Sequence, residues 1–324
     1  MIEICPHWPY WSVGAFYVSG KLKRLECSTS VAFLHIEVRM PFLNEKCPIP
    51  KSDLQRLGRS MRKGEPYDQE LLDEFMIHHT ILIDEVQSIL LDVFDSFLFH
   101  KAGDGEDISP YSMKYRFSAR PKMTKTLVEK LRRMGTTPIH RVQDIAGLRF
   151  DFDSNLTTQL TTANYLADRL IGVGAKAAKV IDLRESPHSG YRAIHIHVNF
   201  EAGRAEVQLR TALQAQWANV YEVAADVFGR EIRYLDLEEI GCSPEVGQVL
   251  GDLHRLSDTA YKAEVWRDRF DATRKGFSDE SHKVAKFKKE SLKLYDSMED
   301  IVQVFTSFRD GDPWEHLLNE REER

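Results

Sequence analysis

Between Tyr191 and Arg210 the chain gathers side chains that suit a bound nucleotide. Tyr191 offers a ring to stack on a base. His195, Gln208 and Arg210 offer hydrogen bonds, and Glu206 offers a carboxylate for a cation or a proton. Their spacing puts them on one face of a β-hairpin. In the first arm Ile194, Ile196, Val198 and Phe200 alternate with Tyr191, Ala193, His195, His197 and Asn199. Glu201-Ala202-Gly203 supplies the turn. In the second arm Ala205, Val207 and Leu209 alternate with Glu206, Gln208 and Arg210. One face is apolar. The other, with Tyr, His, Gln and Arg together, differs from the Lys-, Glu- and Thr-rich face that an ordinary solvated antiparallel pair presents.

A second chemical stretch runs from Ala119 to Arg133. Arg120, Lys122, Lys125, Lys130, Arg132 and Arg133 stand against the single acid Glu129. Leu127, Val128, Leu131 and Met134 mark an amphipathic helix over 124–134 that Gly135 ends. Basic groups before and along a helix suit a polyphosphate, whereas Lys125, Arg132 and Arg133 read as a solvated helix face. A strand over 143–152 follows. Leu148, Phe150 and Phe152 face the core. Asp144 and Arg149 have opposite parity there, so a shared site requires a bulge or twist, which Gly147 permits.

These pieces need scaffolding. Leu71, Leu72, Phe75, Ile81, Leu82, Val86, Ile89, Leu90, Val93 and Phe97 recur by threes and fours, predicting a long helix over 68–99 after a shorter one over 53–62. His78 and His79 lack a following Asp for a metal pair and are expected on that helix's surface. Residues 101–110 read as a linker. A helix over 156–171, a strand over 178–184 and a helix over 211–228 complete the central part. Gly172-Val173-Gly174 follows a helix rather than a strand, so it is no dinucleotide fingerprint. Residues 1–50, with Trp8, Trp11 and a strand expected over 31–38, read as an appendage of unassigned role. Residues 241–324 read as charged helices, 244–270 and 280–308, that form a packing arm or an oligomerisation element rather than a site.

Composition sets bounds. The 324 residues are 42% hydrophobic and 29% charged, which is ordinary for a globular protein with a substantial core. A net charge of −6 argues against a general nucleic-acid binder. The four cysteines, Cys5, Cys27, Cys47 and Cys242, make no CxxC pair, so neither a zinc site nor a disulfide framework is expected. There is no basic leader segment and no run long enough to span a membrane, so a cytoplasmic protein without a membrane partner is expected.

Four motifs then stand in order: Arg120-Pro-Lys122 before a basic helix, Asp144-Ile-Ala-Gly-Leu-Arg149, Ser189-Gly-Tyr-Arg-Ala-Ile-His195, and Glu206-Val-Gln-Leu-Arg-Thr211 leading into a helix with Trp217-Ala218. This pattern resembles the synthetase domain of RelA/SpoT-type alarmone synthetases, in a single-function small form without the hydrolase domain. The resemblance covers roughly residues 112–235. It implies an α+β fold, a mixed sheet of about five strands flanked by helices, with helical N- and C-terminal extensions. The domains expected are 1–50 (appendage), 51–110 (helical extension and linker), 111–240 (synthetase) and 241–324 (C-terminal helices). The resemblance implies transfer of the β,γ-pyrophosphate of ATP to the 3′-hydroxyl of GDP or GTP. It further implies Asp144 and Glu206 as catalytic residues and ligands of Mg2+, and Arg120, Lys122, Lys130 and Arg149 as the ATP site. Tyr191 then stacks on the acceptor base, with His195, Gln208 and Arg210 beside it. The family's Pro-Lys-x-Asn-Gly-Tyr segment is here Pro187-His188-Ser189-Gly190-Tyr191, without the lysine and asparagine. The acceptor is therefore open: a tRNA 3′ end or an adenosine nucleotide are alternatives, and an antitoxin partner and a homo-oligomer stay open with them.

Overall fold

The computed structural model describes residues 41–94, 99–234 apart from Asp104 and Asp107, 243–274, and isolated helical positions between 289 and 303. The strand expected over 31–38 and most of the helix expected over 280–308 lie outside the described residues.

Among the described residues six strands form one mixed sheet: β1 (His100–Lys101), β2 (Lys114–Pro121), β3 (Ala146–Phe152), β4 (Ala177–Asp182), β5 (Ile194–Asn199) and β6 (Arg204–Thr211), in the order β1-β2-β3-β6-β5-β4. The β3–β6 and β1–β2 pairs are parallel and the rest antiparallel. The helices are α1 (Lys51–Lys63), α2 (Gln69–Phe94), α3 (Thr124–Arg133), α4 (Leu156–Gly172), α5 (Ala212–Phe228) and α6 (Pro244–Arg274). The α+β expectation holds, with one strand more than the five or so anticipated.

Strand alternation places Leu148, Phe150, Phe152, Ile194, Ile196, Val198, Val207 and Leu209 on a single face, buried against α2 and α4. Phe94 of α2 stacks on Phe150 with ring centroids 4.0 Å apart. Burying one such side chain stabilises by about 1.5–3 kcal/mol, which is why a sheet with one apolar face requires a helical cover. Asn155 begins α4 by accepting a hydrogen bond from Thr158 N at 2.8 Å. Thr211 and Gln214 form a capping box that turns β6 directly into α5. Leu127 and Leu131 of α3 join Leu54, Leu57 and Met61 of α1 in a smaller core with Leu72 and Phe75. A third core joins α5 to α6 through Trp217, Tyr221, Leu250 and Leu253.

Two local expectations are corrected, and one strand was not anticipated. β2 is a full strand, with Tyr115, Phe117 and Ala119 toward the main core. β3 starts at Ala146 and keeps unbroken register with β2 and β6 through Gly147, so there is no bulge. Asp144 lies before the strand and escapes its alternation, which removes the parity conflict with Arg149. His78 and His79 are buried rather than on the surface of α2: His78 Nε2 bonds to Ala202 O at 2.8 Å and His79 Nδ1 to Phe75 O at 2.9 Å. Burial lowers His79 to about 4, so it stays neutral. Among the described residues no helix is long and apolar enough to cross a membrane.

Candidate active site

The sheet face opposite α2 and α4 carries the polar side chains, and register arranges them in rows. In the first row His197 on β5 faces Glu206 on β6, Glu206 faces Gly147 on β3, and Gly147 faces Arg120 on β2. In the second, His195, Gln208, Arg149 and Ser118 succeed one another. In the third, Arg210 pairs with Asp151, and Asp151 with Arg116. The structure thus brings His195, Glu206, Gln208 and Arg210 onto one face, as the alternation predicted, and adds Arg149 from β3 and Arg120 from β2.

Glu206 is 7% exposed and fully engaged. Gln208 Nε2 donates to its Oε1 at 2.7 Å. His195 Nδ1 lies 3.4 Å from Oε1 and His197 Nε2 3.3 Å from Oε2. Burial pushes the carboxyl up, but hydrogen bonds and charge from His197, His195 and Gln208 outweigh it and hold Glu206 at about 2. Burial lowers His195 despite the nearby Glu206, so this imidazole is neutral at neutral pH. His197 was not singled out in the sequence. The signal was there, since it sits two residues from His195 in an alternating strand.

Tyr191 precedes β5, in a bridge with His188. Its hydroxyl and His195 Nε2 share a hydrogen bond of 3.0 Å. Burial pushes its phenol up to about 12, so it remains uncharged. The loop that holds it depends on Gly190, whose φ is +80° and whose absent Cβ would lie 2.7 Å from Trp217 Cζ2. Helix α6 locks the same loop. Ser257 Oγ donates to Gly190 O, Arg192 Nε donates to Ser257 Oγ at 3.1 Å, and Arg192 Nη2 donates to Asp258. Further along α6, Arg267 donates to Asp153 at 2.6 Å, and Glu264 accepts from Thr211 and Gln214. This helix packs on the domain and shapes the loop that presents Tyr191.

Arg210 is 1% exposed and grips Asp151 with two hydrogen bonds, Nε–Oδ1 2.7 Å and Nη2–Oδ2 2.8 Å. Burial lowers the neighbouring Arg149 below its usual range, with Arg210 adding to the effect.

A separate cluster forms where β2 ends and β3 begins. Lys122 N donates to Ile145 O at 3.0 Å, fixing Lys122 beside Asp144. Lys122 Nζ is 2.8 Å from Asp144 Oδ2, and Lys130 Nζ, arriving from α3, is 2.8 Å from Oδ1. Burial raises the Asp144 carboxyl, but the two ammonium groups overcome that and lower it. Its buried Oδ1 receives no well-directed hydrogen bond despite the ion pair. Asp144 is thus neutralised by two ammonium groups, while Glu206 is held by Gln208 and the two imidazoles.

Comparison with known proteins places a family over much of this region. Residues 119–227 match the model described as the region found in RelA / SpoT proteins. The protein Mb1401 of Mycobacterium bovis, described as uncharacterized, is 37% identical over 194 residues, which are 59% of this chain. The protein Rv1366 of Mycobacterium tuberculosis matches to the same extent. The chain spans 64% of the length of these relatives. Among solved structures, small alarmone synthetase 1 from Bacillus subtilis bound to its product pppGpp is 20% identical, with a TM-score of 0.46, over 64% of this chain and all (100%) of that one. A GTP pyrophosphokinase family protein from Streptococcus pneumoniae is 19% identical, with a TM-score of 0.44, over 65% of this chain and 99% of that one.

Proposed function

We propose that the chain acts through the RelA/SpoT-type region matched over residues 119–227 and transfers the β,γ-pyrophosphate of ATP to the 3′-hydroxyl of GDP or GTP. The acceptor oxygen forms a bond to the β-phosphorus, the bond from that phosphorus to the α-phosphate bridging oxygen breaks, AMP leaves, and the hydroxyl proton is released. The observation that carries this reading is the polar face on which His195, Glu206, Gln208, Arg149 and Arg120 meet, with Tyr191 hydrogen-bonded to His195 at its edge.

Arg120 and Arg149 are diagonal neighbours across the antiparallel β2–β3 pair. Diagonal positions are about 7–8 Å apart, and stacked planes sit about 3.5–4 Å apart. Two guanidinium groups at that spacing admit one adenine between them. Lys122 and Lys130 neutralise phosphates. Their present partner is Asp144, so an incoming triphosphate competes with that carboxylate for them. Tyr191, uncharged and at the other end of the face, stacks on the acceptor base.

The residues present fit a hard dication. Asp144 has a buried oxygen without a well-directed hydrogen bond, and Glu206 is ionised throughout the physiological range. Asp144 and Glu206 would hold Mg2+, which when bound neutralises phosphate oxygens and orients them. A carboxylate held at about 2 is a weak base at neutral pH, so charge and ligation are the stronger roles for Glu206.

The test is incubation of the purified chain with γ-labelled ATP and Mg2+ plus GDP, GTP, ATP or bulk tRNA. Label is expected in a guanosine product. Label in tRNA alone would assign the tRNA reading, and an antitoxin partner would then be sought. No labelled product with any acceptor would defeat the proposal.

A further inference from the structure

We propose that His195, His197 and Glu206 form a binding site for a first-row transition-metal dication such as Zn2+. The site shares Glu206 with the carboxylate-held Mg2+ proposed above but differs from it in donor chemistry, and it does not depend on the pyrophosphoryl-transfer reading.

The geometry comes directly from the strands. His195 and His197 are two residues apart on β5 and share a face. The β5–β6 register places Glu206 directly across from His197. One ligand atom from each of the three side chains lies within 4.8 Å of the other two. The closest approaches, His195 Nδ1 at 3.4 Å and His197 Nε2 at 3.3 Å from the Glu206 oxygens, approximate the donor spacing around a metal with bonds of about 2.0–2.2 Å.

The donor set selects the metal. Two imidazole nitrogens and one carboxylate suit zinc, cobalt, nickel or iron, whereas Mg2+ prefers oxygen ligands and retained water. The outer groups are also in place. Tyr191 Oη lies 3.0 Å from His195 Nε2. If it accepts that N–H, the tautomer is fixed and the Nδ1 lone pair points at Glu206, the arrangement that orients metal-bound histidines. Gln208 Nε2 holds Glu206 Oε1 at 2.7 Å. On the β3 side the position facing Glu206 is Gly147, which has no side chain and leaves room for water or a phosphate oxygen as a further ligand.

The experiment measures Zn2+ binding to the full chain without nucleotide, by competition with a chromophoric chelator. It is followed by Co2+ substitution and its visible absorption. One tightly bound Zn2+ is expected, with millimolar Mg2+ unable to displace it. A visible Co2+ spectrum without thiolate charge-transfer bands should accompany it. His197→Asn should weaken Zn2+ at least tenfold and abolish the Co2+ spectrum, and Tyr191→Phe should weaken Zn2+ severalfold. On the wild-type chain, ring-nitrogen NMR should show Zn2+ shifting His195 Nδ1 and His197 Nε2, a readout that stands even if a variant fails to fold. Equal affinity in wild type and His197→Asn, thiolate bands in the Co2+ form, or unmoved ring nitrogens at saturating Zn2+ would overturn the assignment.

Discussion

Arg210 and Asp151 face each other across the parallel β3–β6 ladder and form a two-point ion pair almost completely closed to solvent. Removing one partner of such a pair leaves a buried charge, which costs about 3–5 kcal/mol. Arg210→Ala should therefore lower stability by that order in urea titrations. If the variant instead keeps wild-type stability and loses only acceptor affinity, Arg210 contacts the acceptor rather than Asp151.

Asp144→Asn and Glu206→Gln should each reduce transfer by about a hundredfold or more, since several kcal/mol of charge stabilisation pass through each carboxylate. Far-UV circular dichroism should stay native, because both substitutions are isosteric. Near-wild-type turnover of either variant at saturating Mg2+ would remove that residue from the machinery.

Tyr191→Ala and Arg120→Ala should separate the two nucleotides. Losing one stacking partner costs on the order of 1–3 kcal/mol, about tenfold to a hundredfold in binding. The tyrosine variant should bind a non-transferable ATP analogue normally and use acceptor poorly, and the arginine variant should do the opposite. Calorimetric titration of the analogue into both decides it, and the reverse pattern would exchange the pockets.

Glu206 also predicts a pH dependence. Its folded value, about 2, lies below the ordinary 4.5. The associated stability is complete above about 4.5 and is lost as pH falls toward 2, amounting to roughly 3 kcal/mol. The stability difference between wild type and Glu206→Gln should shrink by that order across the window. A difference independent of pH from 5 to 2 would show that the imidazoles and Gln208 do not hold the carboxylate down.

Gly190→Ala should cost about 1–3 kcal/mol from its left-handed backbone alone, and more from the clash with Trp217. Thermal denaturation measures it. Tyr191 should shift with the loop, so acceptor use should fall further than stability requires. An unchanged melting temperature would mean that the loop repacks freely.

The alternation in 191–210 made the hairpin and its two faces legible from residue types alone, and the same holds for the α2 stripe and for α4. β2 was hidden because Arg116 and Arg120, with Pro121 at its end, disguise the regular spacing of Tyr115, Phe117 and Ala119 as a charged lead-in to α3. The polar character of His78 and His79 concealed their burial. Each finds a backbone carbonyl, and that of His78 lies 124 residues along the chain at Ala202, a partner that no local pattern reports. The parity of Asp144 misled because strand alternation does not extend to a residue ahead of the first ladder pair. Its two lysine partners come from the end of β2 and from α3, a convergence set by tertiary packing.

The lock between α6 and the Tyr191 loop bears on where this chain can be cut. The match to the family model ends at residue 227, yet the groups that hold Gly190 and Arg192 are Ser257 and Asp258. A recombinant fragment stopped at residue 240 would keep every residue assigned to nucleotide binding. It would also lay bare the flank of α5 around Trp217 and Tyr221 and leave the tyrosine loop without its clasp. Such a fragment should precipitate or stay inert, and the shortest autonomous unit extends at least through Arg267, which anchors α6 to Asp153.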